Sequence, residues 1–197
     1  MQPTIEKSSI EKPAVTFGPV AIALHWVIAA AMVPCVAFGL ISVAADTAEV
    51  TQSTLVLHQS IGTVIFALAL ARVAWRVTHA PPALPESMPR SHKIAAAATH
   101  GLLYVTLFAF PVTGYISLAA RGRDISIFGL FDLPQLVERS RLLSANSRDL
   151  HDYGQYAFYA LVALHVAAAL YHHFIVKDDI LRRMWWSPRR QDVGKAS

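Results

Sequence analysis

The chain has 197 residues, of which 54% are hydrophobic and 15% are charged, and its formal net charge at pH 7 is +4. Soluble domains carry about 25% charged residues, so this composition indicates an integral membrane protein. No nucleic-acid partner is predicted, because no basic helix or aromatic platform lies outside the apolar segments, and the single cysteine, Cys35, excludes an internal disulfide and a thiolate zinc cluster.

Four apolar runs reach the length of about 20 residues that a helix needs to cross the hydrocarbon core of a bilayer. They are Val20 to Ala44, Thr54 to Arg76, Ile94 to Ala120 and Gly154 to Val176. The predicted fold class is therefore an all-α integral membrane protein with a four-helix transmembrane bundle. We expect a cytoplasmic N-terminal tail over residues 1–19, a transmembrane domain over 20–176 and a basic cytoplasmic tail over 177–197.

The first run follows a polar segment and has a rival interpretation as a cleavable signal peptide. Ser42, Val43 and Ala44 resemble a cleavage site. The apolar core, however, is longer than the roughly 7–15 residues of a signal sequence. Cleavage would also remove His25, so retention of this run as a membrane span is the prediction.

The connections between the runs differ in length and composition. The connection Thr78 to Arg90 is rich in proline and is predicted to be a short non-helical link. The connection Arg121 to Asp149 is the longest and contains Gly122, Gly129 and Pro134. We expect it to form a partly ordered cap over one end of the bundle.

The distribution of lysine and arginine predicts the orientation in the membrane. With the N-terminus inside, the inner segments carry twelve of these residues and the outer segments carry five, all in the third connection. Both termini are therefore expected in the cytoplasm.

The fourth run contains the sequence LHVAAALYHH, in which His165 and His172 are seven residues apart. At about 100° per residue the two imidazoles share one face of the helix to within about 20°. A polar ring in hydrocarbon is costly and is retained mainly where something inside the bundle binds it. Two such rings on one face predict two ligand sites stacked along the membrane normal.

Depth in the membrane predicts which imidazoles face each other. His25 and His172 both lie about 6–8 Å from the cytoplasmic boundary at about 1.5 Å of rise per residue. His58 lies about 6 Å from the outer boundary and His165 about 16 Å, a mismatch that tilt or an earlier start of the fourth helix would absorb. The prediction pairs His25 with His172 on the cytoplasmic side and His58 with His165 on the periplasmic side.

Four imidazoles without facing carboxylates or thiolates do not match a zinc or di-iron site. Haem iron accepts two axial imidazoles, and its macrocycle supplies apolar area that fills a bundle interior. The bundle is therefore predicted to enclose two haems, with room provided by Gly39 and Gly62. Arg76 is eighteen residues after His58, on the same face, and could contact a haem propionate. Anchoring at the cytoplasmic surface explains Arg76 equally well, and explains Arg72 better.

Short motifs follow one another along nearly the whole chain: ALHW at 23–26, HQSIG at 58–62 with ARVAWR after it, HGLLY at 100–104, FPVTG at 110–114, ARG, FGL, LHDYG at 150–154 and LHVAAALYHHFIVKDDILRRM. In this order they resemble the bacterial cytochrome b561 family of four-helix dihaem membrane cytochromes, which includes small superoxide:ubiquinone oxidoreductases. The last motif is the most specific. One departure is Ala97, where some relatives have a further histidine three residues before the position of His100.

The resemblance implies a multi-pass protein of the bacterial inner membrane with two b haems held by His25, His58, His165 and His172. Iron with imidazole on both faces has no free position, so electron transfer is expected rather than oxygen activation. By analogy with the superoxide-consuming relatives, superoxide would be oxidised on the periplasmic side and ubiquinone reduced on the cytoplasmic side. The expected partners are the lipid bilayer, the quinone pool, and superoxide or a periplasmic redox protein.

Residues at the two ends of the bundle complete this prediction. The quinone site is placed near Lys93, His100 and His173, with a purely structural role as the alternative for His100. The arginines of the outer connection could steer a small anion by their local field; they are Arg121, Arg123, Arg139, Arg141 and Arg148. The outer segments also carry seven acidic residues, so a solvated loop of mixed charge is the alternative.

Two other function classes stay open. A cytochrome b module that oxidises quinol would pass electrons to a periplasmic or membrane redox partner. A haem-free structural or transport bundle would lack the absorption bands of low-spin b haem.

Overall fold

The computed structural model describes residues 16–86 and 88–185 of the chain. Four long helices account for most of this part: α1 over Pro19–Ala44, α2 over Ala48–Thr78, α3 over Arg90–Ala119 and α4 over Arg141–Tyr171. Each contains an 18-residue window with a mean hydropathy between 1.6 and 2.4, so each is long and apolar enough to cross a membrane. The predicted all-α fold with four membrane-spanning helices is confirmed.

The starts of the helices follow from local chemistry. The first amides of a helix have no partner within the helix, and a side-chain oxygen before the first turn can accept from them. The Thr47 hydroxyl accepts from the Val50 amide at 3.3 Å to start α2, and the Ser140 hydroxyl accepts from the Leu143 amide at 3.2 Å to start α4. α1 begins at Pro19, a position where the missing N–H of proline costs nothing.

The chain after α4 brings its end back to the start of α1. A π-helical turn over His172–Val176 is followed by a short helix, α5, over Ile180–Arg183. The Trp26 indole N–H donates to the Met184 carbonyl at 2.7 Å. Both described chain ends therefore lie at one end of the bundle, as an even number of spans requires, and we call this the inner end.

The opposite, outer end is covered by the connection between α3 and α4. It contains an antiparallel hairpin of β1, Ser126–Ile127, and β2, Phe131–Asp132. The Phe128 amide at its turn donates to the fully buried Ser60 hydroxyl of α2 at 2.7 Å. The hairpin is therefore fastened to the bundle two residues after His58.

The four helices form two close pairs. α1 packs along α2, and α3 packs along α4, while α2 and α3 join the pairs on one side. Buried Ile28 and Cys35 of α1 and Ile65 of α2 form an apolar cluster, against which Leu107 of α3 packs. Across the ranges 16–86 and 88–185, no Cα atom of α1 or α2 comes within 8 Å of one in α4. Directly packed helices lie about 8–10 Å apart axis to axis, so α4 is spaced away from the first pair.

The fourth helix begins thirteen residues earlier than the predicted Gly154, at Arg141. The extra segment reads RLLSANSRDLHDY and is polar, so hydropathy does not detect a helix that extends beyond the hydrocarbon. The predicted connection Arg121 to Asp149 is correspondingly shortened to residues 120–140. The other three helices match the predicted runs to within six residues at each end, and the proline-rich link over residues 79–89 is non-helical where it is described.

The predicted tails lie largely outside the described residues. Of the N-terminal tail, 1–15 are outside, and of the C-terminal tail, 186–197 are outside. The described part of the second tail contains α5, whose Arg183 pairs with Asp179 at 2.9 Å.

Candidate functional site

A separation of fourteen residues recurs on all four long helices. Fourteen residues rise about 21 Å and return to within about 40° of the same helix face. Each helix therefore contributes one residue to an inner level and one to an outer level. The outer level contains Gly39, His58, Gly114 and His151, and the inner level contains His25, Arg72, His100 and His165.

At the outer level two histidines face each other across the gap between α2 and α4. The ring centres of His58 and His151 are 5.9 Å apart, with the ring planes nearly perpendicular. His58 Nδ1 lies 2.8 Å from the Cys35 carbonyl, and His151 Nδ1 lies 3.0 Å from the Phe110 carbonyl. A carbonyl can only accept, so Nδ1 of each ring carries the hydrogen and Nε2 keeps its lone pair. Both rings are thereby prepared as Nε2 ligands of a metal.

A glycine makes each of these carbonyls accessible. A Cβ atom at Gly39 would lie 2.9 Å from His58 Nδ1, and one at Gly114 would lie 3.2 Å from His151 Cε1. Gly39 is four residues after Cys35, and Gly114 is four after Phe110. In both helix pairs the glycine thus leaves space for an imidazole to reach the carbonyl one turn earlier.

At the inner level His25 of α1 faces His165 of α4, with ring centres 6.2 Å apart. His25 is six residues after the start of α1, and His165 is six before the end of α4, so the two lie at the same depth. The ring centre of His100 lies 5.3 Å from that of His165. Three imidazoles therefore meet at this level.

These contacts differ from the pairs that depth in the sequence predicted. His25 was expected opposite His172, and His58 opposite His165. The structure instead places His25 against His165 and His58 against His151. His151, which the sequence analysis did not select as a ligand, is the residue brought to the outer level.

The earlier start of α4 is the physical reason for this difference. His151 lies ten residues after Arg141, and His58 lies ten residues after Ala48, so the two rings are at equal depth. A helix that began at Gly154 would have left His151 outside the bundle. The recurring separation of fourteen residues was a signal in the sequence that could have identified it.

His172 lies at the inner mouth of the bundle, beyond both levels. Its Nδ1–H donates to the Asp178 carboxylate at 2.5 Å, and its ring centre is 5.7 Å from that of His92. The other oxygen of Asp178 accepts from the Ile180 amide at 3.1 Å. The π-helical turn after α4 thus folds a carboxylate back onto this imidazole.

The residues predicted to bind quinone are not assembled by direct contacts. His100 lies against His165, Lys93 is half-buried in the first turn of α3, and the ring of His173 packs 4.7 Å from that of Phe174. Within the part of the chain that the structure covers, no hydrogen bond links Lys93, His100 and His173, and the buried Nδ1 of His173 has no hydrogen-bond partner.

Two arginines of α2 point towards Tyr104 of α3. Arg76, predicted to contact a propionate, has its guanidinium 5.8 Å from the centre of the Tyr104 ring. Arg72 is half-buried, and its Nε donates to the Tyr104 hydroxyl at 3.1 Å while its Nη1 donates to the Ala21 carbonyl at 2.9 Å. Arg72 therefore bridges α1 and α3 rather than lying at the surface.

At the outer end, three arginines line a cleft of about 570 Å³ beside the start of α4. They are Arg121, Arg139 and Arg141, and Arg121 also donates to the Ser144 hydroxyl at 2.8 Å. Arg123, predicted to act together with Arg121, is not part of this lining. Three of the five arginines predicted to steer an anion therefore line one cleft.

The two histidine pairs fit the predicted haem. An axial bond from iron to imidazole nitrogen of about 2 Å, with each ring centre about 1.1 Å behind its nitrogen, places the two ring centres about 6 Å apart. The observed separations are 5.9 and 6.2 Å. The wide spacing of α4 from α1 and α2 suits a flat macrocycle lying between them.

Comparisons with known proteins agree with these features. Residues 16–187 match the family described as prokaryotic cytochrome b561. The chain is 35% identical over 170 residues to cytochrome b561 homolog 2 of Escherichia coli (strain K12), covering 85% of this chain and 90% of that relative. It is 31% identical over 134 residues to cytochrome b561 homolog 1 of the same organism, covering 68% and 74%. It is 30% identical over 138 residues to the probable superoxide oxidase CybB of Yersinia pestis, covering 65% and 72%.

The glycine at the outer level provides a test of the site. In Gly39→Val, the added side chain would displace the His58 ring from the Cys35 carbonyl, because even a Cβ atom lies 2.9 Å from His58 Nδ1. We expect the haem-to-protein ratio, measured by the pyridine haemochrome assay, to fall below that of the unmodified protein. Gly101→Val is the matched control, because nothing lies within 4 Å of a Cβ atom there. Equal haem content in the two variants would contradict this account of the outer level.

Proposed function

Because the chain belongs to the prokaryotic cytochrome b561 family, whose members transfer electrons across membranes with b-type haem, we propose that it binds two b haems between paired histidines. His25 and His165 would hold the inner haem, and His58 and His151 the outer one. The observation that carries the proposal is the outer pair, with ring centres 5.9 Å apart and both Nδ1 atoms engaged by carbonyls. The proposal thus replaces His172 by His151 in the ligand set.

Protein groups orient the histidines that are proposed to hold the haems. A haem held by each histidine pair would supply a one-electron redox couple, and binding of the iron by both histidines of a pair would disfavour oxygen activation. The bond from Nδ1–H to a carbonyl holds each outer imidazole in one tautomer and one orientation and increases the basicity of Nε2. α4 contributes a ligand at both levels, so one continuous helix sets their separation at about 21 Å along its axis.

The family consists of oxidoreductases, and for this chain we propose superoxide as the electron donor and ubiquinone as the acceptor. Two superoxide ions each lose one electron and become O₂ at the outer end. One ubiquinone takes up the two electrons and two protons at the inner end and becomes ubiquinol. The relative named a probable superoxide oxidase and the outer cleft lined by Arg121, Arg139 and Arg141 support the choice of donor.

The four apolar helices imply a lipid bilayer as the surroundings of this multi-pass protein. We propose that the bilayer is the bacterial inner membrane, with the inner end and both termini in the cytoplasm. The excess of lysine and arginine in the inner segments supports this orientation.

The inner mouth is the proposed place of quinone reduction. Three residues were assigned to this role by the sequence analysis. His100 lies at the level of the inner pair, Lys93 lies in the first turn of α3, and His173 lies in the π-helical turn after α4. His172 adds a group with proton chemistry, since its Nδ1–H is held by the Asp178 carboxylate at 2.5 Å. Its Nε2 could pass a proton from the cytoplasmic side to a reduced quinone oxygen.

A second candidate function is a cytochrome b module that oxidises quinol and passes electrons to a periplasmic or membrane redox partner. Two relatives of higher identity, 35% and 31%, are named cytochrome b561 homologs without a stated donor, which leaves this direction of flow open. The two candidates share the haem sites and differ in the reaction at the outer end.

Substitution of single histidines tests the ligand assignment. His58→Ala and His151→Ala should each remove the outer haem, and His25→Ala and His165→Ala the inner one, so each variant retains about one haem per chain. His172→Ala should retain both haems, because its ring lies at the inner mouth. The measurement is the reduced-minus-oxidised difference spectrum together with the haem-to-protein ratio. Loss of a haem in His172→Ala, with two haems in His151→Ala, would restore the original pairing.

Rapid mixing with superoxide distinguishes the two functions. The purified protein with added ubiquinone should form ubiquinol at a rate proportional to superoxide concentration, and His151→Ala should lower this rate at least tenfold. Inertness towards superoxide, together with complete reduction of both haems by quinol, would select the second function instead.

The arginine cleft predicts a dependence on ionic strength. Arg139→Gln and Arg141→Gln should each lower the second-order rate constant with superoxide by a few fold at low salt, because local positive charge attracts the anion. The difference from the unmodified protein should diminish as salt is added. Arg148→Gln is the control, because this exposed arginine is already paired with Asp152 at 3.0 Å. Equal rate constants in all three variants would exclude anion steering by this cleft.

A further inference from the structure

The inner and outer levels are built from the same positions but differ in charge. Each level has two facing imidazoles and two further positions. At the outer level these further positions are the glycines Gly39 and Gly114. At the inner level they are Arg72 and His100. On α2, Arg72 therefore places a guanidinium at the inner level, in the position equivalent to that of His58, the proposed ligand at the outer level.

The partners of Arg72 leave its charge uncompensated by protein groups. Its two hydrogen bonds go to the Tyr104 hydroxyl and the Ala21 carbonyl, both of which are neutral. No carboxylate lies within 4 Å of Arg72 among residues 16–86 and 88–185. A charged side chain inside a membrane-spanning helix is costly, and such residues are usually retained for function.

The same hydrogen bonds place the guanidinium beside the inner histidine pair. Ala21 is one turn before His25 on α1, so the bond to its carbonyl brings the Arg72 charge to the helix face that carries His25. His165 faces His25 across the bundle with ring centres 6.2 Å apart, so the charge lies on the side of the inner pair. At the outer level the equivalent further positions are glycines, and the carboxylate of Asp152, which follows His151, is half-exposed and paired with Arg148 at 3.0 Å. Arg72 thus makes the electrostatic potential more positive at the inner level than at the outer level.

We propose that Arg72 raises the reduction potential of the haem at the inner pair above that of the haem at the outer pair. The inference rests on the two-haem function proposed above. Ferric haem carries one positive charge more than ferrous haem, so a fixed cation nearby disfavours the ferric form. Tyr104 acts as a positioning residue, because its hydroxyl holds Nε of Arg72. Electrons entering at the outer end are thereby drawn to the inner end.

The test is a spectroelectrochemical titration of the purified holoprotein. Arg72→Gln should shift the midpoint potential of one haem downwards by an amount equal to at least about a tenfold change in its equilibrium constant, which is 59 mV for one electron. The other haem should be unaffected. Arg72→Lys keeps the charge and should retain most of the original potential. Arg90→Gln is the matched control, because this exposed arginine at the inner end is screened by water.

A second variant keeps the arginine and neutralises it. Tyr104→Glu places a carboxylate beside Arg72, and we expect a downward shift in the same haem, whereas Tyr104→Phe should cause a smaller one. If neither Arg72→Gln nor Tyr104→Glu lowers a midpoint potential while both haems stay bound, the inference is overturned. Repeating the titration in His58→Ala, which should keep only the inner haem, identifies the haem that responds. A wrong haem count in that protein reports failure of the ligand assignment, separately from failure of the role of Arg72.

Discussion

The hydrogen bond from an imidazole Nδ1–H to a helix carbonyl is the interaction on which the outer site depends. An intact helix normally keeps its carbonyls engaged and covered by side chains. Here the absence of a side chain at Gly39 and Gly114 lets His58 and His151 reach the carbonyls of Cys35 and Phe110. The bond settles the tautomer, the orientation of the ring and the availability of Nε2 in one step. Two neutral imidazoles inside a bilayer thereby leave Nε2 free to bind a metal while each Nδ1–H is paired.

The arrangement of the helices follows from what must lie between them. α1 and α2 pack directly, as do α3 and α4, but α4 keeps its backbone away from both helices of the first pair. The facing histidines cross that space at both levels. The two levels then differ at a few positions. Arg72 adds a positive charge at the inner level, and the glycines leave space at the outer level. Under the proposed function, a preferred direction of electron flow can therefore arise in a nearly symmetrical bundle without any change in the histidines that would bind haem.

The sequence predicted the four apolar helices, the bundle and the haem chemistry, because length, hydropathy and the residue types carry those properties. It predicted His25, His58 and His165 as haem ligands and paired His25 with His172 and His58 with His165. The ring contacts instead join His25 to His165 and His58 to His151. This difference arises at the polar beginning of α4, where hydropathy does not detect a helix although the Ser140 hydroxyl caps one. Contacts such as Arg72 to Tyr104, or His172 to Asp178, depend on how helices rotate and on how the chain folds back after Val176. No spacing within one helix contains that information.

The common interval of fourteen residues has a consequence for how this chain can change during evolution. One inserted residue between His151 and His165 would turn one ring by about 100° relative to the other and so remove it from its partner. Insertions and deletions should therefore be rare between the paired positions of every long helix, whatever the residues there are. The loop over residues 120–140 carries no such constraint on length, and family members are expected to diverge there first.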